Sequence, residues 1–314
     1  MFRSKDMCLI IIMNSGNLLS RWMGTISLSK NHTKCVVFST VSDVTVKNCD
    51  IQWNTYVKRV LDLPAHNSLV KLEGICVNQV NLYLVHEHLT CDSLESIISS
   101  RRIASYRYGA FPTSEVASYL MDILGGMEVL HSFGFLLPGL STKKVLVTDK
   151  GQCKLYDFFL SEDAPNKTRN MKSEKDCSIN DLPPEALLRN EYSQASDMWC
   201  VAVVLWKLMT YDLIPVVLQN MDERKVCSVT QDWPASHLGL KNPLLFECWM
   251  YDDSFRPSVN KLRSSFEEVI RNVQAFSISE DTEESMSDLY ISMDGIKTTL
   301  QRNSEMDRTQ LSLE

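Results

Sequence analysis

"EYSQASDMWCVAVVLWKLMT", Glu191 to Thr210, contains a run from Asp197 to Met209 that is apolar almost all the way round. A surface helix keeps a polar face, so a helix without one belongs at the centre of a helical body. A large helical lobe is therefore expected around this segment. Upstream, "TSEVASYLMDILGGMEVLHSFG" opens on the helix-start signal Thr113-Ser114-Glu115 and carries an amphipathic stripe to Gly134, a natural C-terminal stop. Downstream, "NPLLFECWMY" and "SVNKLRSSFEEVIRNV" supply further helices.

Nearer the N terminus the period changes. "GTISLSKN" and "KCVVFSTVSDVTV" alternate and are rich in β-branched residues, and "SLVKLEGICV" and "NLYLVHEHL" have the same strand character. Among them only "IQWNTYVKRVLDL", Ile51–Leu63, has helical spacing. These segments predict an α+β chain: a small, mostly antiparallel β-rich N-lobe over about 17–90 and a larger helical C-lobe over about 91–273. Residues 1–16 read as an N-terminal extension. Its apolar stretch Met7–Met13 lacks the small-residue cleavage site of a signal peptide and reads as a hydrophobic strand or the remnant of a longer parent chain. Residues 274–314 form an acidic, Ser-rich tail, too poor in apolar surface to offset the entropy of ordering and expected to be disordered.

The formal net charge of −7 over 314 residues argues against a phosphate-backbone binder, so no nucleic-acid partner is expected. Ten cysteines stand singly without C-x-x-C spacing, as in a protein with reduced thiols. No run of about 20 apolar residues is present, so a membrane anchor is not expected within this chain. The expected location is cytoplasmic, with membrane association if the chain is part of a longer parent.

A sheet lobe followed by a helical lobe resembles the protein kinase fold, and the ordered motifs are similar to those of the tyrosine-kinase branch. Asp197 and Trp199 match the Asp and Trp that open the central helix of the helical lobe. "LPPEALL" is similar to the segment closing the activation loop, with Glu185 retained. "ECWMYDDSFRPSVNKLRSSFEEV" resembles the last helices, with Arg256 in place. The resemblance implies a buried ion pair between Glu185 and Arg256. A narrower resemblance, in "SLVKLEGICVNQVNLYLV" and "DLYISMDGI", is to the serine/threonine/tyrosine-kinase-like family, also called novel oncogene with kinase domain, whose members carry a membrane-spanning segment before the kinase domain.

The same resemblance shows what has been lost. Phosphoryl transfer in this family needs an Asp base, an Asn and an Asp for metal, and a Lys on the phosphates held by a helix Glu. In "FLLPGLSTKKVLVTDKGQCKLYDFF", Phe135–Phe159, the base position is Gly139 and the metal Asn position is Lys144. Only Asp157 survives. "CVVFS" puts Ser39 at the lysine, and the helix Glu falls near Tyr56. Lys34 or Lys47 could lend an amine, though a solvated strand-edge lysine is the simpler reading. Leu19–Gly24 is matched to the phosphate loop, retaining only Gly24, and His86 sits behind the hinge as a packed residue. Leu136, Leu137, Leu140, Val145 and Val147 are expected to fill the core and explain why the loop frame persists.

The expected function is that of a degenerate kinase, a pseudokinase: a signalling or scaffold module acting through protein–protein contact. No cofactor is expected, and Mg–ATP binding, if retained, would rest weakly on Asp157 and Gly24. Expected partners are signalling proteins, including active kinases or phosphotyrosine-binding domains, with Tyr290 in the tail as a phosphosite candidate. Two alternatives stay open. One is an atypical ATP-dependent kinase phosphorylating protein substrates and recruiting Asp149, Glu162 or Asp163; the other is a structural protein unrelated to phosphorylation.

Overall fold

Alternating β-branched segments build the first layer in the computed structural model, which describes residues 1–15, 18–29, 32–41, 51–78, 81–108, 111–171, 181–211 and 235–275. Six strands form one sheet: β1 (Phe2–Arg3), β2 (Met7–Ser15), β3 (Leu19–Ser29), β4 (His32–Val41), β5 (Leu72–Val77) and β6 (Leu82–Glu87). Their order is β1-β5-β6-β4-β3-β2, antiparallel except for the β1–β5 pair. Inward residues from neighbouring strands, among them Ile26, Val36, Phe38 and Val85, close a core on one face. Helix α1 (Trp53–Leu61) buries Tyr56, Val57 and Val60, which fall on one face at helical spacing.

The N-terminal boundary needs correction. Residues 1–16 are not an extension of the lobe, because β2 pairs with β3 over most of its length and forms the outer strand of the sheet. The expected strand at Met7–Met13 is present, but its consecutive apolar residues gave no sign that it pairs with β3; Ile10, Ile11, Ile12 and Met13 are all exposed.

The helical lobe follows. Strand β7 (Cys91–Ser93) leads into α2 (Leu94–Tyr108) and α3 (Thr113–Ser132), and the left-handed Gly134 (φ 75°) turns the chain into β8 (Phe135–Leu136). After a short 3-10 turn at Thr142–Lys144 come β9 (Val145–Thr148), β10 (Cys153–Leu155), β11 (Phe159–Leu160) and α4 (Ala164–Met171). Helix α5 (Pro184–Leu188) precedes α6 (Gln194–Thr210), whose residues from Ser196 to Thr210 are buried except Lys207. Ser193 and Ser196 exchange bonds as a capping box at its start. In "NPLLFECWMY" the α-helix is only four residues, α7 (Leu244–Glu247), before the turn that leads to Arg256.

Residues 1–266 form one compact unit, in which residues 259–266 are helical; residues 267–275 are helical in a second unit. Lys47, Cys49, residues 172–180 of the activation segment, and the tail with Tyr290 lie outside the described residues. Among the described residues the cysteines are free and no helix is long and apolar enough to cross a membrane.

Candidate active site

Strand β3 faces the helical lobe across a cleft, and its Arg21 reaches over to Asp157. Asp157 follows β10 in a left-handed conformation (φ 65°), which an Asp tolerates better than most side chains. The two side chains form an ion pair spanning 136 residues of sequence, and both are largely shielded from water. Lys144 Nζ lies 3.6 Å and Lys167 Nζ 3.9 Å from the other carboxylate oxygen. Burial opposes ionisation of Asp157, but Arg21, Lys167 and Lys144 outweigh it and hold the carboxyl well below the usual range. The Arg21 guanidinium also lies 5.7 Å over the Tyr156 ring.

In the β3–β4 register Arg21 sits opposite Ser39, so a cation on the neighbouring strand faces the cleft beside the serine. Sequence reading missed Arg21, because no motif spacing marks a residue whose partner is so distant. Lys34 is not a substitute; it pairs with Glu73 at 3.0 Å on the adjoining strand pair. A cavity of about 200 Å³ adjoins the ion pair, lined by Leu19, Val37, Leu84, Leu146 and Tyr156 among others. His86 also lines it, half-buried, and burial together with Arg21 lowers its imidazole to about 4, so the ring is neutral at physiological pH.

Gly24 does not belong to this site. Leu19–Gly24 is a regular stretch of β3, and the connection between β2 and β3 is instead residues 16–18, of which Leu18 alone is described. A Cβ on Gly24 would stand 2.2 Å from the Cys8 carbonyl oxygen, so this glycine permits close approach of two strands.

Opposite the sheet, the loop after β8 carries Leu137-Pro138-Gly139. Asp197 anchors it: its carboxylate accepts from the Leu137 amide at 3.0 and 3.1 Å and from the Tyr192 hydroxyl at 2.8 Å, with His131 Nε2 at 2.9 Å. Leu136, Leu137, Leu140, Val145 and Val147 are all buried. Gly139 is left-handed (φ 67°), and a Cβ there would meet the Met171 methyl at 1.9 Å. Helix α4 thus lays Met171 over the position aligned with a catalytic base. Lys144 Nζ donates to the Pro138 carbonyl at 3.2 Å. Asp149 lies in the β9–β10 turn and lines a different cavity. Asp163, at the start of α4, is buried, and burial with repulsion from Glu162 raises its carboxyl to about 6.

Helix α1 is tied to the same region. The Tyr56 hydroxyl donates to the Phe158 carbonyl at 2.8 Å, and its ring packs near Phe135 and Phe159. Further away, Arg256 grips Glu185 through two bonds of 2.7 and 2.9 Å, while Ser196 donates to the same carboxylate at 2.7 Å. The Arg256 guanidinium stacks 5.1 Å from the Trp199 ring.

The family model for protein tyrosine and serine/threonine kinases matches residues 13–266. The chain belongs to this kinase family. The kinase domain is 26% identical over 217 residues to Ephrin type-A receptor 5 of Gallus gallus, covering 66% of this chain and 20% of that protein. It is 24% identical over 231 residues to Ephrin type-B receptor 3 of Mus musculus, covering 71% of this chain and 22% of the receptor. The chain spans about a fifth of the length of these relatives. Kinase domains typically use Mg–ATP, but the residues present do not fit the metal. The carboxylate Asp157 is engaged by Arg21, and Lys144, a cation, stands 3.6 Å from its other oxygen.

Proposed function

We propose that this kinase domain is impaired in phosphoryl transfer and acts through protein–protein contact, as a signalling or scaffold module. The observation that carries the reading is the Arg21–Asp157 ion pair: the surviving family carboxylate is bound by a guanidinium from the opposite lobe. The glycine at the base position supports it, since loss of a general base alone costs roughly 10²–10⁴-fold in rate. The partners we propose are signalling proteins, including active kinases acting on Tyr290 and phosphotyrosine-binding domains. A longer parent chain anchored at a membrane is compatible with this reading, the matched relatives being receptors by name. The test is incubation of the purified chain with Mg–ATP and a mixture of tyrosine- and serine-containing peptides. Transfer at background level is expected, and transfer that Asp157→Ala abolishes would overturn the reading. A second reading, an atypical ATP-dependent kinase, is favoured by one observation, the apolar cavity beside Tyr156. It requires that abolishable transfer.

A further inference from the structure

The cleft holds more positive than negative charge. Arg21 and Lys167 alone set two cations against the single carboxylate of Asp157, before Lys144 is counted. A divalent cation brought to Asp157 would meet these like charges at close range, whereas an anion meets attraction. Arg21 uses Nη2 on Asp157, and a guanidinium carries five N–H donors in a planar fork suited to phosphate. Beside it stand Ser39, opposite Arg21, and the neutral His86, while Glu87, which also lines the cavity, is paired with Lys154 at 3.1 Å. Next to the fork lies the cavity of about 200 Å³, walled by Leu19 and Val37 from the sheet and Leu146 from β9. Apolar walls with a few convergent polar groups suit a small ligand with an apolar body.

We propose that this cleft takes an anionic ligand without a metal: a small apolar body in the cavity, carrying a phosphate that Arg21 receives. The proposal rests on the reading of the cleft as incompetent for transfer and adds the ligand class to it. Asp157 then acts as the group that positions Arg21, and contributes nothing to metal binding.

The test uses the full chain in differential scanning fluorimetry and calorimetric titration, with adenosine, ATP and tripolyphosphate as probes, each in EDTA and in excess Mg²⁺. ATP in EDTA is expected to raise the melting temperature, adenosine and tripolyphosphate to raise it less, and Mg²⁺ to add nothing. Arg21→Ala should weaken ATP in EDTA by about tenfold or more, the loss expected for a charge-assisted contact. Arg21→Lys should retain part of the affinity, and Asp157→Asn should still bind. Binding that requires Mg²⁺ and disappears in Asp157→Asn would overturn the proposal, as would equal affinity for tripolyphosphate and ATP, or no response to ATP in EDTA. A chain that neither transfers phosphate nor binds ATP in EDTA overturns this inference alone, whereas Asp157-dependent transfer overturns the reading beneath it.

Discussion

Arg21 and Asp157 pair across the two lobes, so each stabilises the other's burial. Removing one leaves its partner desolvated and unmatched, which costs more than the pair itself contributes. We expect Asp157→Ala to destabilise by about 1–3 kcal/mol in urea melts, the pair retaining some solvent contact. The double variant Arg21→Ala, Asp157→Ala should lose less than the sum of the single ones, the signature of direct coupling. Because the folded pKa of Asp157 is depressed, this stability is present above the unfolded value near 3.9 and fades only as pH falls through the lower folded value. Asp163 has the opposite sign. Its folded carboxyl titrates at about 6, above the unfolded value, so stability falls as pH rises from about 4 to about 6. Asp163→Asn is expected to flatten that fall and to stabilise the chain at pH 7 by about 1–2 kcal/mol, measured by melts across pH. At this scale Ser39, Gly139 and Lys144 were assignable to positions from the sequence, because they lie at fixed distances from recognisable neighbours. Arg21 was not, because the sequence records no register between β3 and the loop after β10.

Among the elements, the clearest dependence is that of α5 and α6 on the turn before residue 259. Arg256 holds Glu185 of α5, the Ala195 carbonyl of α6 at 3.0 Å and the Met250 carbonyl at 2.9 Å. Arg256→Ala should therefore cost about 3–5 kcal/mol, because it strands the Glu185 charge. A melting temperature equal to that of the unaltered chain would contradict this assignment. Gly139 tests the loop: Gly139→Ala is expected to cost about 1–2 kcal/mol from its left-handed backbone. Met171 can swing its flexible end away, so adding Met171→Ala should not recover the loss. The α-helices were readable because an apolar stripe or an all-round apolar run survives any detail of packing. Strand β2 was harder to read: exposed and apolar together, its residues give no alternation, and Gly24 was mistaken for a loop residue because its close contact with Cys8 is a matter of strand pairing.

For the whole molecule, the two-lobe fold was legible from the order of its motifs, whereas the ion-paired cleft depends on contacts between residues far apart in the sequence. On the reading proposed above, contact with partners falls to surfaces and to the tail. We expect Tyr290→Phe to abolish capture of the chain by an isolated phosphotyrosine-binding domain after treatment with an active tyrosine kinase, with no change in melting temperature; undiminished capture would move the docking site elsewhere. The ties of α1 carry a wider consequence. Trp53 donates to the Leu82 carbonyl at 2.9 Å, Tyr56 to Phe158 at 2.8 Å and Arg59 to Phe133 at 2.8 Å, so consecutive turns of one helix are fastened to three separate places. A lever pinned at three points is a strut. A helix so fastened does not swing when the cleft fills, so any message the chain carries is written outside that helix.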